Sequence, residues 1–229
     1  MNKKNPLRQL FLPLCAAVLV AGCATSPAPK ESGFLPDYSR LQQVSTPGGG
    51  ARLAYMNPQF NPARYHAIKL DPVVYYPEPQ PTADISMDTL TKIRSEMDQS
   101  LRKKLGAKVR LVDRAGPGVA HVRVAITAVG AETRALKAYQ YIPVALAVTG
   151  AKAMAQGGLP RDATIAIESQ VTDSVSGELL YAAVRGGTGE RLVHEAQGKG
   201  GVQLTSLQPL IDEWSTAAAN AVQKYVKAK

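Results

Sequence analysis

The sequence predicts an α+β fold: an antiparallel or mixed sheet of about four to five strands with two amphipathic helices packed on one face, plus an Ala/Val-rich helical insertion. Three observations predict it. Two long segments carry apolar residues at steps of three and four, the period of a helix. Several short segments alternate apolar and polar residues, the period of a half-buried strand. The elements run strand, helix, several strands, helix, an order in which one sheet can bury both helical stripes.

The regular domain is expected to begin near Ala67. Ile68, Leu70 and Val73-Val74-Tyr75-Tyr76 form a first strand, broken at Pro72 as at an edge or bulge, and the run Pro77-Glu78-Pro79-Gln80-Pro81 ends it. A helix is expected over residues 86–105, with Leu90, Ile93, Met97, Leu101 and Leu105 in one stripe. Ser86 or Asp84 can cap it, Asp88 sits in its first turn, and Lys103 and Lys104 precede the stop at Gly106. Residues 108–112 read as a strand, and Gly116-Pro117-Gly118 turns the chain. From His121 to Val129 the pattern alternates: Val122, Val124, Ile126 and Ala128 on one face, His121, Arg123, Ala125 and Thr127 on the other.

Residues 163–172 and 179–185 read as a hairpin closed by Asp173-Ser174-Val175-Ser176-Gly177-Glu178. Gly186-Gly187-Thr188-Gly189 then reads as a loop, because it lacks the Lys and the strand–loop–helix context of a phosphate cradle. The last helix is expected over 206–226, with Leu207, Leu210, Ile211, Trp214, Ala218, Ala221, Val222 and Tyr225 on one face. Thr205 or Ser206 can cap it, with Pro209 in its first turn. No period of 20–50 residues repeats.

The N-terminus carries a separate message. Lys3, Lys4 and Arg8 form a cationic start, followed by an apolar stretch from Leu10 to Val20 that is too short to span a bilayer. It ends in Val20-Ala21-Gly22-Cys23, where Gly22 leaves a peptidase unobstructed and Cys23 offers a thiol for a thioether-linked lipid. This resembles the bacterial lipobox. The resemblance implies cleavage between Gly22 and Cys23, acylation of Cys23 and, because Ala24 and not Asp follows, an outer-membrane anchor facing the periplasm. The chain then divides into a signal (1–22), lipidated Cys and tether (23–32), an extended irregular arm (33–66) and the α+β domain (67–229).

Composition bounds the chemistry. The 229 residues are 45% hydrophobic and 20% charged, which excludes wholesale disorder. With two Cys, one of them in the signal and the other Cys23, a disulfide framework is excluded. His66, His121 and His194 stand far apart without ligand spacing, so neither a metal nor any other cofactor is expected.

Three stretches, Ser32-Gly33-Phe34-Leu35-Pro36-Asp37-Tyr38-Ser39-Arg40-Leu41, Lys69-Leu70-Asp71-Pro72-Val73 and Asp173-Ser174-Val175-Ser176-Gly177-Glu178-Leu179-Leu180, together resemble bacterial lipoproteins of domain-of-unknown-function family 3313. The likeness spans about residues 31–226. It implies a lipoprotein and carries no catalytic residues.

Two features suggest interaction surfaces. Tyr141 to Ala151 holds no charge, and Ile142, Val144, Leu146 and Val148 could dock a partner, self-associate or pack in the core. The formal charge of +9 falls to +6 once the three signal cations are removed (9 − 3), and Arg102, Lys103 and Lys104 lie in its densest cluster. The leading expectation is a non-catalytic accessory or scaffold of the cell envelope, membrane-bound through its lipid, with an envelope protein or a second copy as partner and no role in nucleic acid binding. Alternatives are a carrier of an apolar or glycan ligand held between sheet and helices, a hydrolase of envelope components, and a ring-forming export component. A closed, ligand-sized cavity of a few hundred Å³ would favour the carrier.

Overall fold

The computed structural model describes residues 31–44, 52–133, 161–192 and 201–228. Gly22 and Cys23, and the expected helical insertion with Ile142, Val144, Leu146 and Val148, lie outside the described residues, as do His194 and Gly48-Gly49-Gly50.

One mixed sheet of seven strands and two α-helices make up the described fold. In chain order the elements are β1 (Gln42–Gln43), β2 (Arg52–Met56), β3 (Ala67–Leu70), β4 (Val74–Tyr75), α1 (Met87–Gly106), β5 (Val119–Thr133), β6 (Arg161–Asp173), β7 (Leu179–Arg191) and α2 (Leu204–Val222). The strands lie in the order β1-β2-β7-β6-β5-β3, with β4 beside β5 further along the same edge. β3 and β4 run parallel to β5, and the other pairs are antiparallel.

The sheet is wider than the four to five strands expected, because part of the irregular arm joins it. Arg-Leu-Ala-Tyr-Met of β2 alternates for only five residues between Gly- and Pro-rich segments, and it gains its partner from β7, about 130 residues later. The strand expected at 108–112 does not form. Val109 N and Lys108 N donate back to Leu105 O at 2.9 Å, finishing the helix, and only Leu111 bridges to Ile68. The break at Pro72 is present as the gap between β3 and β4.

α1 starts where Ser86 Oγ accepts from Thr89 N at 3.1 Å. Asp84 does not cap it: its carboxylate accepts two parallel bonds from Arg161, at 2.7 and 2.6 Å. α2 begins at Leu204 without a side-chain cap, so neither Thr205 nor Ser206 plays that part, and Pro209 falls in its second turn.

Both helical stripes enter one buried cluster with the sheet. Leu90, Ile93 and Met97 of α1 and Leu207, Ile211 and Trp214 of α2 meet Val124, Ile126, Ile165 and Leu180. Ile126, Ile165 and Ile211 are at most 1% exposed, which contributes about 1.5–3 kcal/mol each relative to full exposure. Between the helices, Ser100 and Ser215 share a buried hydrogen bond of 2.7 Å.

Two departures from the sequence pattern shape this interface. In β5 the pairing skips Thr127: Ile126 lies opposite Ile167 and Ala128 opposite Ala166. The extra residue moves Ala128 away from the large core, and Val129 takes the inward place instead. The second departure is the Gly-rich segment after the hairpin, expected as a loop, which instead continues β7. A Cβ at Gly187 would stand 2.7 Å from Trp214 Cζ2, and one at Gly189 would stand 2.2 Å from Ser206 O. These glycines let the first half of α2 lie directly on the strand.

Candidate functional site

The close approach at Gly187 and Gly189 has a counterpart further along. Side chains two apart on a strand share a face, so Tyr181, Ala183 and Arg185 point the same way as Gly187. Register places Met56, Ala54 and Arg52 of β2 directly opposite them. Over this part of the sheet α2 presents Ala217, Ala218 and Ala221. Small residues on both sides leave space where larger ones would interdigitate. The result is a cavity of about 360 Å³ between sheet and helices, within the size range of small-molecule sites.

Its deep wall is apolar: Met97 and Leu101 of α1, Val124 of β5, Leu180 of β7 and Val222 of α2. One end is aromatic, where Phe60 lies 5.4 Å from the Tyr65 ring and 5.8 Å from the Tyr225 ring. The outer wall includes the exposed Met56, Ala217, Ala221 and Lys224. Among the described residues, the charged ones lining the cavity are Arg52, Arg185 and Lys224, with no Asp or Glu. Arg52 donates from Nη2 to the Tyr181 hydroxyl. Arg185 lies over the Trp214 ring at 4.6 Å and donates to Glu213 Oε1 at 2.8 Å. Burial draws the Arg185 guanidinium below its ordinary value, against the opposing pull of Glu213.

The opposite face of the sheet is closed by the segment before β1. Phe34 and Leu35 pack on Ala125, Ala182 and Val184. Beside them Tyr38 donates to Glu168 Oε2 at 2.6 Å, while the Tyr38 oxygen accepts from Gly33 N at 3.0 Å and Leu35 N at 3.2 Å. Glu168 is only 2% exposed. Burial raises its carboxyl above the ordinary range, and bonds from Tyr38, Ser32 and Leu35 counter part of that rise.

The other two stretches behind the family resemblance also build local structure. Lys69 Nζ donates to Asp71 Oδ1 at 2.5 Å, and His121 Nε2 lies 2.8 Å from Asp71 Oδ2. Burial alone would raise Asp71; the bonds from Lys69 and His121 outweigh it and hold the carboxyl below its usual range. At the β6–β7 turn, Asp173 Oδ1 accepts from Val175 N and Ser176 N, and Gly177 supplies the positive φ of +75°. Asp173 Oδ2 also accepts from the Tyr65 hydroxyl at 3.0 Å; burial first, and this bond second, push that phenol up to about 12.

The basic residues singled out in the sequence do not converge on the cavity. Arg102 pairs with Asp98 at 2.8 Å and donates to Leu70 O at 3.2 Å. Lys104 binds Asp212 and Thr216 of α2, tying the two helices together. Lys103 points to solvent. The sequence reading missed Arg52, Tyr181 and Arg185. The available signal was an arginine two and four residues from Ala183 and Tyr181, on the strand face that should be apolar.

Among the described residues, no group of three or more His, Cys, Asp or Glu is placed to hold a metal ion, and no helix is long and apolar enough to cross a membrane.

A family profile described as a protein of unknown function, DUF3313, matches residues 30–218. The chain belongs to this family. It is also 30% identical over 207 residues to the uncharacterized lipoprotein YdcL of Escherichia coli K12, covering 90% of this chain and 91% of that protein. Among solved structures, a PelC dodecamer from Paraburkholderia phytofirmans is similar at 14% identity and a TM-score of 0.35, covering 73% of this chain and 97% of that one. The hypothetical protein CT253 from Chlamydia trachomatis is similar at 11% identity and a TM-score of 0.43, covering 71% and 98%.

Proposed function

We propose that this protein is a carrier of an apolar ligand, moored by an acylated Cys23 to the outer membrane and facing the periplasm. It acts by binding and not by catalysis. The observation that carries this reading is the cavity of about 360 Å³, walled by apolar side chains and kept open by Ala183, Ala217, Ala218 and Ala221. The lipobox at Val20-Ala21-Gly22-Cys23, and the lipoprotein named among the relatives, support the anchor. The accessory or scaffold role is expected to act through residues 139–159, outside the described residues, and the arm 33–63, whose β1, β2, Phe34 and Leu35 are taken up by the sheet, so the cavity favours the carrier.

The test uses the full chain in native envelopes and a photoreactive long-chain alcohol with a diazirine on its alkyl chain. Adducts should map to the α2 peptide containing Ala218 and Val222, and the bulky Ala218→Phe should remove them. Labelling spread evenly over the surface, unchanged by that substitution, would overturn the carrier. Labelled palmitate should mark the wild type and not Cys23→Ser; equal marking of both would overturn the anchor.

A further inference from the structure

We infer that the cavity takes a single-chain anionic amphiphile, its alkyl tail in the apolar space and its headgroup among Arg52, Arg185 and Lys224. This rests on the carrier reading and adds the charge and shape of the ligand.

Charge complementarity carries the inference. Among the described residues the lining holds three cations and no carboxylate, and the ion pair at its edge, Arg185 with Glu213, leaves two of them without an acidic partner there. Arg52 leans on a neutral phenol, Tyr181, and Lys224 forms no ion pair among the described residues. Register sets Arg52 directly opposite Arg185 across β2 and β7, on the same face. Like charges at such a position repel, and a carboxylate or phosphate between them removes that repulsion while accepting charge-assisted hydrogen bonds. The arginine forks suit the flat or trigonal oxygens of such a head, and exposed Lys224 adds a point charge from the turn just past α2. The shape argues for one tail. At about 360 Å³ the cavity lies at the narrow end of the usual range for ligand sites, and its lining includes both the half-buried Tyr181 and the fully buried, apolar Met97. A neutral glycan would leave this wall without partners.

The experiment displaces a diazirine-bearing palmitic acid probe from the full chain in nonionic micelles, using palmitate or hexadecanol as competitor. Palmitate should compete at least about tenfold better, as expected for one charge-assisted bond. Arg52→Gln should abolish that preference and leave competition by hexadecanol unchanged. Lys224→Gln, on an exposed side chain, is the second variant and should reduce the preference with no change in thermal midpoint. Equal competition by acid and alcohol in the wild type would overturn the anionic headgroup and leave the carrier standing. Failure of both probes to label the α2 peptide would overturn both. A preference that survives both substitutions would also overturn the assignment of the head to these cations.

Discussion

The Tyr38 hydroxyl donates to Glu168 Oε2 at 2.6 Å, joining residues 130 positions apart. This bond fastens the segment before β1 to the sheet face away from the helices. The same oxygen accepts two backbone N–H groups, so one side chain organises the whole turn from Gly33 to Tyr38.

Tyr38→Phe should therefore destabilise the fold by about 1–3 kcal/mol, because it leaves a buried carboxylate short of a donor. Urea denaturation measures the loss. Amide exchange across residues 32–41 should accelerate more than exchange in β6.

Glu132 provides a pH signature. Burial pushes its carboxyl up to about 7, and register sets Asp162 opposite it. A raised carboxyl pKa favours the protonated form in the native state. Its stabilising contribution is complete below the ordinary value of 4.5 and is lost as pH rises through about 7. Urea midpoints should fall between pH 5 and pH 8 by an amount that Glu132→Gln removes.

The glycines of β7 test the fit of α2. Gly189→Ala drives a methyl into the Ser206 carbonyl, a backbone atom, whereas Gly187→Ala meets the edge of the Trp214 ring. Both should lower stability by about 1–3 kcal/mol, Gly189→Ala the more. Thermal melts of the two variants give the order. The Gly187 variant should also shift the Trp214 emission.

Ser100 and Ser215 should behave non-additively. Ser215→Ala leaves the Ser100 hydroxyl without its 2.7 Å partner between the helices and should cost about 1 kcal/mol or more. The double alanine variant should recover most of that loss, because both hydroxyls are gone. A double-mutant cycle in urea checks it.

Local signals made part of this fold legible. Ser86 and the stripe from Leu90 to Leu105 mark α1 because cap and period both lie within one segment. Asp173 to Gly177 mark the β6–β7 turn for the same reason. What escaped depends on distant partners. β2 is too short to announce itself and is a strand because β7 lies beside it. Gly187 and Gly189 look like loop residues in isolation, yet their missing side chains are what Trp214 and Ser206 require. The skipped pairing at Thr127 leaves no trace in an alternating string, so the inward face was misassigned after Ile126. The cavity was half visible. Ala218 and Ala221 stood on the apolar face of α2, but only register brings Arg52 opposite Arg185.

The most direct measurement uses Trp214, the single tryptophan of the chain, which lines the cavity. A fatty acid brominated along its tail is titrated into the full chain in non-brominated micelles, and Trp214 emission is followed. Saturable quenching, reversed by unbrominated palmitate and absent in Ala218→Phe, is the predicted result. Linear quenching of equal slope in both proteins would contradict an occupied cavity.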